Sequence, residues 1–188
     1  VTTALRGGGA EFVTRTWARW LSEQGDSVRV VATSTPDFTD LPAAISTRSF
    51  AGIGHLGSVR ALRDDLRTTR PDVVLAIQSY PALIALAACL PMRDRPAVVI
   101  SERNLTVRER SRESTSPSDR AKRALARRLY RRADLSIAVS HAVAAELVSA
   151  YGVPGPRTVV VPNPAAREGQ TTTRAAPSTD GVLEIVLP

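Results

Sequence analysis

The fold is decided by residues 5–34, LRGGGAEFVTRTWARWLSEQGDSVRVVATS, where three consecutive glycines stand directly before a helical pattern. Residues 10–24 carry apolar side chains at helical spacing, and Gly25 ends that pattern. The predicted apolar stripe consists of Phe12, Val13, Trp17, Trp20 and Leu21. Residues 28–32 are β-branched and apolar, as is typical of a strand. This order predicts a glycine turn, a helix and a strand in succession.

The glycine turn, Gly7 to Gly9, can be interpreted as a binding site for a ligand. Without side chains, its backbone can approach a ligand closely and adopt positive φ. The following helix presents unpaired amide hydrogens and a positive dipole end, which suit a phosphate. A tight turn without a ligand is the alternative. Phe12 replaces the third glycine of a dinucleotide fingerprint, and no Gly-Lys-Ser or Gly-Lys-Thr of a P-loop is present, so the turn serves neither use.

The rest of the chain alternates strand-like and helix-like patterns, which predicts an α/β fold with right-handed βαβ units. We expect a Rossmann-like, doubly wound parallel sheet in residues 1–164, with residues 1–4 as the end of its first strand. Residues 165–181 have the composition of a linker. Residues 182–188 resume a strand pattern, and we interpret them as the first strand of a further, donor-binding domain that the sequence does not contain.

Composition is that of an ordinary globular protein, with 43% hydrophobic residues and one cysteine, Cys89. No apolar run reaches the roughly 18–20 residues that a membrane span requires. The lone cysteine lies in an apolar helical pattern and is expected to be a core residue, which fits a reducing cytoplasm. We therefore expect a cytoplasmic protein.

The net charge of +7 is concentrated in residues 103–132, which alone carry +8. Within this segment, residues 118–132 predict a basic helix with an apolar stripe. Such a helix can lie on an anionic membrane surface, here the inner face of the plasma membrane. The side chains expected to face it are Arg123, Arg127, Arg128 and Arg131. The alternative is that the stripe packs on the sheet and the arginines are solvated; Tyr130 is the only interleaved aromatic residue, which disfavours nucleic acid.

Polar residues follow several predicted strands, at the edge where a parallel sheet binds ligands. Gln78 and Ser79 follow one strand, and Glu102, Arg103 and Asn104 follow the next. Later strands end before Ser140, which is expected to cap a helix, and Asn163. Because the carboxyl ends of parallel strands share one edge, these groups are expected to converge there.

The motifs resemble those of the GT-B glycosyltransferases, specifically the N-terminal, acceptor-binding domain of the retaining family 4. The pieces that carry the resemblance span roughly residues 5–164, in family order: GGGAEFVTRTWARWLSEQGDSVRVV, RPDVVLAI, VVISERN, ADLSIAVSHAVAAELVSAYGVP and VVVPNP. The resemblance implies an enzyme of two Rossmann-like domains with its active site between them. It transfers a sugar from a nucleotide-sugar to a glycan or lipid-linked acceptor, with retention of configuration. SERN in particular resembles members that extend polyprenyl-diphosphate-linked sugars.

The resemblance also implies roles for residues. Gly8 and Gly9 face the donor diphosphate and transferred sugar. The residues on the acceptor side are Gln78, Ser79, Glu102, Arg103 and Asn104. Relatives often carry a histidine where this chain has Gln78 or Ser79, so no catalytic residue is assigned. No cofactor and no obligatory metal are expected, and without the second domain the chain is expected to be inactive.

Other interpretations stay open. The domain could be a non-catalytic carbohydrate- or lipid-binding module. A nucleotide-sugar dehydratase or epimerase using NAD requires a Tyr-x-x-x-Lys pair, which is absent. Glu102 and Arg103 could form a local salt bridge instead of binding an acceptor. His55 and His141 are expected to be structural or solvated.

Overall fold

The computed structural model describes residues 1–5, 8–104 and 117–163, with side chains from residue 124 onward in the last range. The predicted linker, the strand at 182–188 and the Arg123 side chain lie outside the described residues. The strands are β1 (Arg29–Ala32), β2 (Ser46–Ser49), β3 (Val73–Ile77), β4 (Ala97–Glu102), β5 (Leu135–Ala138) and β6 (Thr158–Val160). The helices are α1 (Gly9–Glu23), α2 (Gly54–Thr69), α3 (Ser79–Cys89), α4 (Pro117–Tyr130) and α5 (His141–Tyr151), with a 3₁₀ turn at Gly155–Arg157.

Residues 1–4 join two groups of strands into one parallel array. On one side, the Thr2 amide donates to the Val31 carbonyl over 2.9 Å. On the other, the Val1 nitrogen donates to the Leu75 carbonyl over 2.6 Å, and the Ile77 amide donates back to Val1. The spatial order is β2, β1, residues 1–4, β3, β4, β5, β6, and the paired strands within the described residues run parallel. The order reverses between residues 1–4 and β3, which is the switch point of a doubly wound sheet and confirms the predicted fold.

The helices divide between the two faces of the sheet as right-handed crossovers require. Val31 belongs to a large core shared by α2, α3, α4 and α5. Its neighbour Val30 points to the opposite face and packs with Ala18 of α1 in a smaller core. Adjacent strand residues point to opposite faces, so α1 lies alone among the described helices on its side.

The burial of two side chains tests the sequence predictions. The prediction that Trp20 belongs to the buried stripe of α1 is wrong, because its side chain is 57% exposed while Val13, Thr14 and Ala18 are buried. Cys89 is fully buried and free, as predicted, and its burial raises the pKa of the thiol to about 11.

Candidate functional site

The glycine turn lies on one side of the switch point. Gly8 is the N-cap of α1 in extended conformation, with φ −154°, so it does not use the positive φ that glycine permits. A Cβ added to Gly9 would meet none of the described residues within 4 Å, whereas one at Gly8 would meet the Glu11 carboxylate. Gly8, as the N-cap residue, makes no side-chain hydrogen bond to the first turn of α1. Among the described residues, Gly9 therefore offers room rather than an unusual backbone shape.

Gln78 lies on the other side of the switch point, between β3 and α3. Its backbone has φ 77° and ψ 160°, a region that only glycine adopts readily. A hydrogen bond from its amide to the Ser101 carbonyl, 2.9 Å long, holds it against β4. The side-chain Oε1 is shielded from solvent and has no partner among the described residues. Strain of this kind costs about 1–3 kcal/mol and is concentrated at functional sites.

Glu102 ends β4 and is only 3% exposed. Its Oε2 accepts a hydrogen bond from the Ser79 hydroxyl over 3.0 Å, and its Oε1 accepts one from the Tyr130 hydroxyl. The Tyr130 ring stacks on Tyr151, with 5.2 Å between centroids. Burial, followed by the charge of Glu102, raises the pKa of Tyr130 well above its ordinary value. The carboxylate therefore ties the start of α3 to the end of α4.

Arg103 follows Glu102 in sequence but extends to the opposite side of the sheet. Its Cζ lies 4.7 Å from the centroid of the Trp17 ring of α1, and its Nη1 donates to Asn163 Oδ1 over 2.5 Å. Partial burial lowers the pKa of the guanidinium. None of the ion pairs among the described residues includes Arg103, so the alternative of a local pair with Glu102 is wrong. Asn104 is exposed at the same edge.

Polar atoms without partners concentrate at this edge of the sheet. In the described ranges, seven side-chain atoms are shielded from solvent and unpartnered, and four of them belong to Gln78, Ser101 and Arg103. Buried polar groups in native proteins are nearly always hydrogen-bonded, so each such atom requires an explanation. Their concentration beside the switch point favours a ligand over a packing accident.

The sequence pattern predicts the correct strand ends but not three other contributors to this edge. Trp17 and Tyr130 fall in helix patterns, and Ser101 falls in a strand. The sequence around Trp17 does not indicate its role at this edge, because its partner Arg103 comes from a distant segment. The polar Ser101 within the run AVVIS was a signal that could have indicated a functional edge.

The two histidines lie at the starts of α2 and α5. His55 is exposed, and its Nδ1 lies 2.8 Å from the hydroxyl of Tyr80. His141 is exposed at the start of α5, as predicted. Ser140 caps that helix by accepting a hydrogen bond from the Val143 amide over 3.3 Å.

The basic helix α4 buries Ala126 and Tyr130 against the core. Leu125, which belongs to the predicted apolar stripe, is 49% exposed. Arg128 and Arg131 are exposed, whereas Arg127, also exposed, is tied to α5 through a 2.8 Å hydrogen bond from Nε to the Ala150 carbonyl. The alternative in which the whole stripe packs on the sheet is therefore wrong for Leu125.

Two pockets lie away from the switch-point edge. One of about 630 Å³ lies beside α5 and β6, and one of about 880 Å³ lies at the amino ends of β3 and β4. Within the described residues, no three His, Cys, Asp or Glu side chains are grouped to hold a metal ion. No helix in those same ranges has the length and apolar character needed to cross a bilayer.

Comparison with known proteins identifies the relatives of the chain. Residues 7–167 match the model of Glycosyltransferase Family 4. The crystal structure of Anabaena Alr3699/HepE in complex with UDP is similar, with a TM-score of 0.64 and 19% identity over 86% of this chain. A glycosyltransferase from Rickettsia africae ESF-5 has a TM-score of 0.52 and 11% identity over the same share. The alignments cover 42% and 41% of those two proteins. No curated protein matches.

Proposed function

Since the chain belongs to Glycosyltransferase Family 4, we propose that it forms the acceptor-binding half of an enzyme that transfers a sugar from a nucleotide-sugar, with retention of configuration. A further domain supplies most of the donor site. The crystallised complex of Anabaena HepE with UDP supports a nucleotide-sugar as donor. The chain aligns with less than half of that protein, so the 188 residues alone are expected to be inactive.

The observation that carries the proposal is the group of unpartnered polar atoms beside the strained Gln78. A protein gains nothing for its own stability from strain and from shielded groups that lack hydrogen bonds. Both are expected where a ligand completes the hydrogen bonding. Their position at the switch point, where α/β sheets bind substrates, supports a substrate site.

Each predicted residue receives a role from its geometry. Gly9 leaves room for the donor, and the backbone amides of Gly8 and Gly9 at the start of α1 stabilise charge on the leaving diphosphate without an obligatory metal or cofactor. Gln78, Arg103 and Asn104 contact the acceptor. The inward-facing Glu102 acts as a positioning residue that holds Ser79, since so little of its side chain is exposed.

The test is a steady-state transferase assay on the protein that includes the donor-binding domain. Asn104→Ala is expected to raise the KM for the acceptor about tenfold, the loss of roughly 1.4 kcal/mol of binding, with little change in the KM for the donor. Thr68→Ala, at an exposed position on α2, is the matched control. A rise in the donor KM alone would contradict the assignment of this edge to the acceptor.

The competing function is a carbohydrate- or lipid-binding module without catalysis. It predicts that the complete protein binds glycans or lipid-linked sugars yet forms no product with any nucleotide-sugar. Sugar transfer at rates typical of enzymes would exclude this alternative.

We also propose a lipid-linked acceptor, reached from an anionic membrane surface on the cytoplasmic side. Leu125, Arg128 and Arg131 are all exposed on or directly after α4, which supports this idea, since apolar and basic groups together bind such surfaces. Sedimentation with anionic liposomes is expected to weaken in the double variant Arg128→Gln, Arg131→Gln and at high salt. Arg60→Gln is the control. If neither the double variant nor high salt weakens liposome binding, membrane association through α4 is refuted.

A further inference from the structure

The guanidinium of Arg103 is fixed by two other parts of the chain. Its central carbon lies over the Trp17 ring, and Nη1 is anchored by Asn163, which follows β6. A guanidinium is planar and presents its donors in a rigid fork, so holding its centre and one nitrogen restricts the direction of the others. The group is held as a rigid donor rather than as a solvated surface charge.

The two remaining nitrogens of Arg103 form a free edge. Nε and Nη2 are shielded from solvent, and neither has a hydrogen-bond partner among the described residues. Their N–H bonds run side by side, at the spacing of two oxygens of one oxyanion. Leaving charged donors shielded and unpaired costs more than leaving neutral ones unpaired. The lowered pKa of the guanidinium reports the same uncompensated desolvation.

We propose that this edge of Arg103, framed by Trp17 and Asn163, binds a phosphoryl oxyanion through two parallel hydrogen bonds. The choice of a phosphoryl group over a carboxylate rests on the proposed function, because nucleotide-sugars and polyprenyl-linked acceptors both carry diphosphates. The geometry of the fork itself does not depend on that function.

Trp17 provides the readout. The chain contains two tryptophans, and Trp20 is 57% exposed, so Trp20→Phe leaves Trp17 as the single fluorophore at little cost. Titrating this variant of the 188-residue chain with inorganic pyrophosphate is expected to change Trp17 emission saturably. Substitutions at Arg103 are then compared in the same background, with folding checked by circular dichroism.

Arg103→Gln and Arg103→Lys are both expected to weaken pyrophosphate binding about tenfold or more, since lysine keeps the charge but not the fork. Asn163→Ala keeps the fork and loses only its anchor, so we expect a smaller loss of about threefold. The Asn163→Ala variant still tests the proposal if an Arg103 variant does not fold. Arg60→Gln removes an equal charge from an exposed position and is expected to change nothing.

Unchanged affinity in both Arg103 variants, or an equal loss in Arg60→Gln, would overturn the proposal. Malonate binding as tightly as pyrophosphate would overturn the phosphoryl assignment. Farnesyl diphosphate and UDP distinguish whether the bound diphosphate belongs to the acceptor or to the donor. Tighter binding of farnesyl diphosphate supports an acceptor diphosphate, and tighter binding of UDP supports a donor diphosphate. If the complete protein transfers no sugar while the Arg103-dependent binding persists, the proposed function fails and the oxyanion site stands.

Discussion

At the switch point, residues 1–4 lead into α1 through Gly8, whereas β3 leads into α3 through Gln78. The two junctions lie on neighbouring strands and open toward the same edge. Gly8 has an extended φ of −154°, which any residue can adopt. Gln78 has a φ of 77°, which favours glycine. Glycine therefore stands where the backbone does not require it, and glutamine where the backbone would prefer glycine.

The two junctions differ in what surrounds them. A Cβ added to Gly9 would meet none of the described residues within 4 Å, which agrees with the donor space proposed for this position. At Gln78 a side chain is kept despite about 1–3 kcal/mol of strain. Local backbone preference therefore explains the residue type at neither junction.

The largest effect is expected from the buried network that holds the Gln78 junction. Tyr130→Phe removes a donor from the buried carboxylate of Glu102 and should lower the free energy of unfolding by about 1.5–3 kcal/mol. Tyr80→Phe is the matched control, because its hydroxyl contacts the exposed His55; its cost should stay below about 1 kcal/mol. Urea unfolding of the 188-residue chain measures both. Equal costs would mean that the network does not hold the junction.

The next effect separates strain from side-chain chemistry at Gln78. Gln78→Ala and Gln78→Gly both remove the carboxamide, but only glycine relieves the strain. Because glycine also loses about 0.5–1 kcal/mol of chain entropy, Gln78→Gly should exceed Gln78→Ala in stability by about 1 kcal/mol. Denaturant midpoints of the two variants provide the measurement. An alanine variant at least as stable as the glycine variant would refute the strain.

Much of this edge follows from sequence. Apolar runs ending in polar residues predicted β3 and β4, and the sheet brought Ser79 and Glu102 within hydrogen-bonding distance. The conformation of Gln78 was not predictable, because a hydrogen bond to the neighbouring strand imposes it against local preference. The exposure of Trp20 was missed for a related reason. Helical periodicity locates an apolar stripe, but tertiary packing decides which part of it is covered.

An effect smaller than the full cost of Tyr130→Phe is expected from pH. The pKa of Tyr130 is raised on folding, so the folded state retains its proton at a pH where the unfolded chain has lost it. This contribution is complete below about pH 10 and is lost as pH rises toward the folded pKa. The stability difference between the parent and Tyr130→Phe should therefore shrink by up to about 1.4 kcal/mol per pH unit above pH 10. Cys89 titrates in both proteins and cancels from the comparison. A difference that stays constant between pH 8 and 11 would contradict the raised pKa.

The smallest effect on stability is expected at the glycine junction. Gly9 begins α1 with free space around its Cα, so Gly9→Ala should leave the free energy of unfolding unchanged or raise it by up to about 1 kcal/mol. Gly8→Ala should also change little, because the group that its Cβ meets is the movable end of Glu11. Thermal unfolding measures both. In the complete enzyme, the same Gly9→Ala is expected to raise the KM for the nucleotide-sugar, because its methyl group occupies the space proposed for the donor. If Gly9→Ala destabilised the fold while sugar transfer continued normally, the glycine would serve the chain itself, and the contrast with Gln78 would disappear.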